Sequence, residues 1–247
     1  MEKLRKDITL YCVRHNKAIV NPLLVEYSNE NDNFIIVNTD QSDMIGNLNR
    51  FGRCLNEFIV HYWITKQNIS TDYVGLCHYR YIPVIRDINK FELDENTIVG
   101  TENIAHGKIM TRGMLYIYEP WVCRTFKRFS DYLTFIEVLK KLYPIYFDNF
   151  KSNSNIIDTF LKETFICTVK EHKDIVRETI STMIVFMHKI GIRNTKDFFN
   201  YIGASKSPRI LGFCFEIVMD IVMTCKCYNG YNCLYTKVDH DIKKSLN

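Results

Sequence analysis

Short apolar runs alternate along the chain with segments of helical periodicity. Runs rich in β-branched and aromatic residues, bounded by polar or charged residues, are typical of strands. Such runs occupy residues 8–13, 34–37, 73–82 and 165–169. Apolar residues at three- and four-residue intervals predict helices over residues 54–67, 129–143, 172–190 and 215–224. The order strand, helix, strand with short connections predicts an α/β fold with a mostly parallel central sheet flanked by helices.

The helix predicted over residues 54–67 has one apolar stripe. The positions i, i+3, i+4, i+7 and i+8 of this stripe are Leu55, Phe58, Ile59, Tyr62 and Trp63. Glu57 and His61 lie one turn apart on the opposite face. We therefore expect Glu57 and His61 to form a surface pair rather than a catalytic dyad.

The run from 73 to 82 is almost continuously apolar and aromatic, and Pro83 closes it. A strand of this composition is buried on both faces, as strands of parallel sheets are. The chain shows no internal repeat and no linker rich in Pro, Gly or Ser. We therefore expect a single domain over residues 1–227, followed by a loosely packed tail over residues 228–247.

The charge of the chain is small and dispersed. With 32 basic and 28 acidic side chains, the formal net charge is +4. Nucleic-acid binding requires clustered Lys and Arg to neutralise phosphates, so we expect no nucleic-acid partner. The largest basic cluster, Arg124, Lys127 and Arg128, is interrupted by aromatic residues and is predicted to be a solvated face.

Cysteine usage and hydropathy predict a cellular location. The nine cysteines are an odd number scattered through apolar segments, which is typical of reduced thiols in the cytoplasm. Cys225, Cys227 and Cys233 are open to an alternative interpretation as metal ligands, although they lack paired C-x-x-C spacing. Since no apolar run approaches 18 residues, we expect no signal peptide and no transmembrane segment.

His78 and Arg80 lie at the end of the predicted buried strand, where period 2 places them on the same face. An unpaired buried guanidinium is costly, so Arg80 has to meet a carboxylate, a ligand or water. Ligands of open α/β sheets bind outside the carboxyl ends of the strands, and the planar fork of Arg suits a phosphate. The alternative is a structural ion pair of Arg80, with His78 satisfied by the backbone.

The segment Gly75-Leu76-Cys77-His78-Tyr79-Arg80 resembles the G-L-x-H-Y-R signature of a family of bacterial and viral sugar transferases. Members of that family occur in capsular, exopolysaccharide and lipopolysaccharide clusters. Four further blocks resemble family motifs in the same order, at residues 11–17, 43–49, 56–63 and 208–216. The resemblance spans roughly residues 8–224, and the least similar stretch is 101–155.

This resemblance implies a GT-A-like fold that transfers a sugar from a nucleotide diphosphate to an acceptor hydroxyl. Most such folds place an Asp-x-Asp motif at this strand end to hold a divalent metal, whereas this chain has His78-Tyr79-Arg80 there. The only Asp-x-Asp sequence is Asp239-His240-Asp241, in the polar tail. We therefore favour metal-independent chemistry, in which His78 and Arg80 stabilise the diphosphate, over Mn²⁺ or Mg²⁺ with His78 as a ligand.

Candidate site residues follow from these motifs. Glu216, with Asp220 one turn further on, is the candidate general base, and a first-turn acid favoured by the helix dipole is the alternative for Glu216. The expected donor-binding residues are His15, Asp43, Asn47, Asn49, His78, Tyr79, Arg80 and Arg209. For the polar loop residues Asp43, Asn47 and Asn49 the alternative is Asx-turn chemistry. For Arg209 the alternative is an ion pair in a loop.

The sequence therefore predicts a cytoplasmic glycosyltransferase of surface glycan or polysaccharide synthesis. The expected partners are a nucleotide-sugar donor, with a UDP-sugar expected first, and a glycan, oligosaccharide or lipid-linked acceptor. The first alternative is a non-catalytic domain of the same fold that binds a nucleotide sugar or a glycan. The second is a nucleic-acid or phosphoprotein adaptor that uses the basic aromatic stretch 124–132.

Overall fold

The computed structural model describes the greater part of the chain. The described residues are 3–14, 20, 22–39, 46–55, 57–78, 88–102, 104–105, 108–109, 120–152 and 164–237. The strands among them are β1 (Ile8–Arg14), β2 (Phe34–Asn38), β3 (Tyr73–His78), β4 (Thr97–Glu102), β5 (Ile104–Ala105), β6 (Lys108–Ile109), β7 (Phe165–Thr168) and β8 (Asn232–Lys237). Six of them form one sheet in the order β2-β1-β3-β7-β4-β8, and β5 pairs with β6 in a separate two-stranded sheet.

Helices cover the faces of the six-stranded sheet. They are α1 (Pro22–Glu30), α2 (Gly52–Leu55), α3 (Phe58–Ile64), α4 (Pro120–Thr125), α5 (Phe129–Leu142), α6 (Pro144–Ser152), α7 (Val169–Lys189), α8 (Thr195–Ala204) and α9 (Ile210–Tyr228). Two 3₁₀ turns occupy Gly46–Phe51 and Ile88–Lys90. None of the described helices is both long enough and apolar enough to cross a membrane.

The predicted mostly parallel sheet is confirmed. Strand β1 pairs in parallel with both β2 and β3, and β4 pairs in parallel with β8. Strand β7 lies between β3 and β4 and is antiparallel to both. The four strands predicted from the sequence are all present, whereas β4, β5, β6 and β8 were not predicted.

Alternate residues of the strands face two separate cores, as period 2 requires. On one face, Ile8, Leu10 and Cys12 of β1 pack with Leu24 and Tyr27 of α1. On the other face, residues such as Tyr11 and Val13 pack against a larger core formed with α3, α5, α7 and α9. The larger core positions the helices that carry the candidate site.

Helix α9 differs from its prediction, because it extends from Ile210 to Tyr228 rather than from 215 to 224. Its buried residues occur all around the helix, so no periodic stripe marks its ends. Helix α5 ends before Pro144, as predicted, but Pro144 then begins α6. A proline is well tolerated at a first helical position because its missing N–H has no intrahelical partner there.

The segment after α9 also differs from the expectation of a loose tail. Residues 232–237 form β8, which pairs along its whole length with β4. The expectation that the cysteines are reduced is wrong for one pair, since Cys227 and Cys233 form a disulfide between the end of α9 and β8. The described cysteines outside this pair, Cys225 among them, form no disulfide.

The prediction that Glu57 and His61 form a surface pair is wrong. Glu57 is 4% exposed and His61 is fully buried, because α3 packs against the sheet as well as against α7 and α9. The His61 ring stacks on Phe165 of β7, with ring centroids 5.1 Å apart. Its Nδ1 lies 2.9 Å from Nε2 of His172 on α7. Two imidazoles therefore share one hydrogen bond inside the core.

His172 is fully buried at this contact. Burial lowers the pKa of His172 well below its usual value, and the neighbouring His61 and Lys173 lower that pKa further. Nδ1 of His172 has no hydrogen-bond partner among the described residues. The folded protein therefore holds His172 in its neutral form near neutral pH.

The contact between β3 and β7 depends on a glycine. A Cβ atom at Gly75 would lie 2.7 Å from the carbonyl oxygen of Phe165 and 3.1 Å from Cα of Ile166. Both atoms belong to the backbone of β7, which cannot move aside without disturbing its pairing with β3. The close approach of the two strands therefore requires the absence of a side chain at position 75.

We expect Gly75→Ala to lower the free energy of unfolding by about 1–3 kcal/mol, because the added methyl group overpacks the β3–β7 contact. Urea denaturation monitored by circular dichroism measures this change. Gly203→Ala on α8 is the matched control, since a Cβ there meets nothing within 4 Å. The control is expected to raise stability by up to about 1 kcal/mol through helix propensity. Equal stabilities of the two variants would contradict the proposed close approach.

We also expect the stability of the protein to fall with decreasing pH because of His172. The unfolded chain takes up this proton at about pH 6.5, before the folded chain does. The contribution of neutral His172 to the free energy of unfolding is therefore fully present above about pH 6.5. It is lost at up to about 1.4 kcal/mol per pH unit as the pH falls toward the lowered pKa of His172 in the folded state.

Urea denaturation over a pH series tests this expectation in His172→Gln, which should show a flatter pH dependence than the wild type. His188→Gln is the matched control, because His188 is exposed on the same helix. An unchanged slope in His172→Gln would exclude His172 as the source of the pH dependence.

Candidate functional site

Strands β1, β2 and β3 end together at one edge of the sheet. Val13 of β1 lies opposite Val37 of β2 and opposite His78 of β3, and Arg14 lies opposite Asn38. Because the three strands are parallel, their carboxyl ends meet at this edge, which we call the carboxyl edge. Ligand sites of open α/β sheets lie outside such an edge.

The backbone places one predicted donor-binding residue, His78, at the carboxyl edge. His78 is the last residue of β3. His15 follows directly after β1, and Tyr79 and Arg80 follow directly after β3, but these three residues and Asp43 lie outside the described residues. Asn47 and Asn49 belong to the 3₁₀ turn that follows the loop from β2.

The first turns of α9 pack against the start of α3. The rings of Phe58 and Phe215 stack with centroids 4.1 Å apart. Helix α3 begins after the loop that leaves β2 at the carboxyl edge, and it ends before β3 begins at the opposite edge. The contact between Phe58 and Phe215 therefore places the start of α9 on the same side of the fold as the carboxyl edge.

The two candidate acids lie on α9 directly after this contact. Glu216 is half-buried, whereas Asp220 is 8% exposed and lies among the apolar residues of the larger core. Both residues make interactions with other parts of the protein, so neither is without a partner. A general base has to reach the acceptor hydroxyl, and the greater exposure of Glu216 suits it better to that role.

Arg209 is exposed at the N-cap position of α9. Its guanidinium carbon lies 5.4 Å from the centre of the Phe213 ring, within cation–π range. Its backbone N–H donates to Oγ of Ser207 at 3.2 Å. Arg209 therefore occupies the start of the helix that carries Glu216, two turns before that residue.

A second polar cluster joins α7 to the end of α9. Nζ of Lys226 lies 2.6 Å from Oε1 of Glu171, and the hydroxyl of Tyr231 donates to Oε2 of Glu171 at 2.9 Å. Burial opposes the charged form of Lys226, but the hydrogen bond and charge of Glu171 outweigh it and raise the Lys226 pKa. Each group of this cluster is paired within the protein, which is typical of a structural rather than a catalytic role.

Asp131 and the basic cluster of Arg124, Lys127 and Arg128 lie in surroundings typical of structural or solvent-exposed residues. The carboxylate of Asp131 is buried and accepts from Nε of Arg128 at 2.9 Å and from the Tyr201 hydroxyl at 3.1 Å. The cluster of Arg124, Lys127 and Arg128 is exposed, as predicted. The described residues contain no group of three His, Cys, Asp or Glu that could hold a metal ion, and residues 239–241 lie outside them.

Sequence reasoning missed two features of this region. The buried pair of His61 and His172 was missed because only one face of α3 was expected to pack, and the face that carries His61 was expected to be in solvent. Basic residues that line a pocket beside α7 were also missed, although Lys173 and Arg177 are spaced four residues apart on one helical face.

The family comparison covers most of the chain. The model of a family described as "Domain of unknown function (DUF4422)" matches residues 10–226. A search of curated proteins finds no significant match.

A solved structure shares the fold. The apo structure of WbbM, a bifunctional glycosyltransferase, superposes with a TM-score of 0.59 at 16% sequence identity. The match covers 95% of this chain and 46% of the WbbM chain, so this chain spans about half the length of that structure. The likeness establishes a GT-A-like fold and leaves the activity to be argued from the residues.

Proposed function

The chain belongs to the DUF4422 family, and we propose that it is a glycosyltransferase that acts in the synthesis of a surface glycan or polysaccharide. In this proposal it transfers a sugar from a nucleoside-diphosphate sugar to an acceptor hydroxyl. The shared fold with a glycosyltransferase supports the general class. The observation that carries the proposal is the common carboxyl edge of β1, β2 and β3, at which His78 ends β3 and Arg80 follows it.

In the proposed reaction the donor diphosphate lies against the carboxyl edge. Departure of the nucleoside diphosphate develops negative charge on its phosphate oxygens, and fixed cationic donors lower the free energy of that transition state. We assign this role to His78 and Arg80, with Arg209 at the start of α9 as a further cation. His15, Tyr79, Asp43, Asn47 and Asn49 complete the proposed donor site by contacts to the nucleotide and the sugar.

The acceptor needs a base if the reaction inverts configuration at the sugar. In this proposal Glu216 accepts the proton of the attacking hydroxyl as the bond from the acceptor oxygen to the sugar carbon forms and the bond from that carbon to the diphosphate oxygen breaks. Asp220, one turn deeper in the core, supports the position of Glu216 in this proposal.

The proposal uses no divalent cation. It rests on the sequence His78-Tyr79-Arg80, which stands where most GT-A-like folds carry an Asp-x-Asp motif for a divalent metal. The charge of the departing diphosphate is then carried by the imidazole and guanidinium groups alone. A metal bound by His78 is the competing arrangement, and loss of turnover on chelation would identify it.

The donor and acceptor are proposed by class. A UDP-sugar is the first donor to test, with GDP-, dTDP- and CMP-sugars beside it. The acceptor is a glycan, an oligosaccharide or a lipid-linked sugar, and the reaction is proposed to take place in the cytoplasm.

We expect the correct nucleotide sugar to raise the melting temperature of the protein, because a ligand that binds only the folded state stabilises it. At a concentration about 100 times the dissociation constant, the stabilisation is about 2.7 kcal/mol. Thermal-shift measurements with each nucleotide sugar, with EDTA and with Mn²⁺, provide the test. A shift that requires Mn²⁺ would contradict the metal-independent proposal, and no shift with any donor would contradict the donor site itself.

We expect Glu216→Gln to lower kcat by about 10²–10⁴-fold while donor binding stays close to that of the wild type, because only proton transfer is removed. Arg80→Gln should weaken donor binding by about tenfold or more, because it removes charge-assisted hydrogen bonds to phosphate. Isothermal titration with the donor and a product-release assay separate the two effects.

Glu137→Gln and Arg193→Gln are the matched controls, because both residues are exposed and distant in sequence from the site. The controls should keep wild-type binding and turnover. Donor binding without transfer in the wild type would instead identify a non-catalytic nucleotide-sugar-binding domain.

A further inference from the structure

A pocket of about 210 Å³ lies between the end of α3 and the middle of α7. Its walls are Tyr62, Thr65, Lys66, Lys173, Val176, Arg177, Ile180 and Ser181. Sites for drug-sized ligands occupy roughly 300–1,000 Å³. This pocket is therefore suited to one compact group rather than to a whole nucleotide sugar.

The lining carries three cations and no carboxylate. Arg177 donates to Asp174 at 3.0 Å, and Asp174 also accepts from Lys170 at 3.3 Å. Lys66 and Lys173 have no carboxylate partner among the described residues, so the pocket holds about two uncompensated positive charges. Such a pocket attracts a compact anion.

The two aliphatic hydroxyl groups that line the pocket already donate hydrogen bonds to the backbone, so an anion would be bound mainly by the cationic side chains. The Thr65 hydroxyl donates to the carbonyl of Tyr62 at 2.6 Å, and the Ser181 hydroxyl donates to the carbonyl of Arg177 at 2.9 Å. Nζ of Lys66 lies 5.2 Å from the centre of the Tyr62 ring, which is also part of the pocket wall, and a cation–π contact holds the ammonium group beside that ring.

The pocket is separate from the carboxyl edge. Helix α3 leads to the start of β3, and α7 follows the end of β7. Tyr73 at the start of β3 lies opposite Thr168 at the end of β7. Both walls of the pocket are therefore connected to the end of β3 that is opposite to His78.

We propose that the pocket formed by Lys66, Lys173 and Arg177 binds the phosphate group of a phosphomonoester ligand. A phosphomonoester carries a charge of about −1.5 to −2 at neutral pH, which matches the two uncompensated lysines. The guanidinium of Arg177, held by Asp174, adds planar donors suited to phosphate oxygens.

Two sources can present this group to the pocket. One is a soluble sugar phosphate, for which Val176 and Ile180 provide an apolar wall. The other is the headgroup of a phosphomonoester lipid, for which Ile184 and Val185 are exposed on the next turn of α7. The chemistry recognised is the same in both cases, and the experiment distinguishes the sources.

Isothermal titration with glucose 1-phosphate and with inorganic phosphate tests the soluble source, and uncharged glucose is the ligand control. Co-sedimentation with phosphatidylcholine vesicles, with and without phosphatidic acid, tests the lipid source. We expect saturable binding of at least one phosphomonoester, weakened by about tenfold in Lys173→Gln and further in the double variant with Lys66→Gln.

Lys189→Gln is the matched control, because it removes the same charge from an exposed position on the same helix. It should bind like the wild type. Weakening by Arg80→Gln but not by Lys173→Gln would overturn the proposal, because the phosphate would then bind at the proposed donor site. Equal weakening by Lys173→Gln and Lys189→Gln would overturn the proposal in favour of diffuse charge attraction. Absence of binding to every phosphomonoester would overturn it as well, whatever the outcome of the donor experiments.

Discussion

The reversed strand β7 determines how the rest of the molecule is arranged. Of the described strands in the six-stranded sheet, β7 alone runs antiparallel to its neighbours. Its pairing with β3 requires the glycine at position 75. Because β7 ends opposite to the carboxyl edge, α7 begins there, and its first turn brings His172 against His61 and Glu171 against Lys226. Because β7 runs in this direction, the pocket formed by Lys66, Lys173 and Arg177 is connected to the end of the sheet opposite to the proposed donor site.

The strands and the fold class could be predicted, because β1, β2, β3 and β7 are compact apolar runs bounded by polar residues. Strands β4 and β8 could not be predicted, since their pairing depends on residues far apart in the sequence and β8 has a mixed composition. The limits of α9 were missed because a helix buried on all sides has no polar face to define its ends. The burial of Glu57 and His61 was missed for a related reason, since α3 packs on two surfaces at once.

Of the candidate site, the sequence could predict the residues that end a strand, such as His78 at the end of β3. The parallel register brings the ends of β1 and β3 together, which supports the placement of His78 at a ligand-binding edge. The structure adds the contact between Phe58 and Phe215, which no local pattern indicates, and with it the position of Glu216. The roles of His15, Asp43 and Arg80 depend on residues outside the described part of the chain and remain predictions.

The pairing of β4 with β8 also bears on how the chain is made. Thr97 lies opposite Asn232, so β4 is synthesised long before the strand that covers its outer edge. Contacts between such distant segments form late in folding, since a long loop has to close first. An uncovered strand edge is a template for pairing with another molecule. On the ribosome, the edge of β4 therefore stays unpaired until residues 232–237 have emerged and β8 can form.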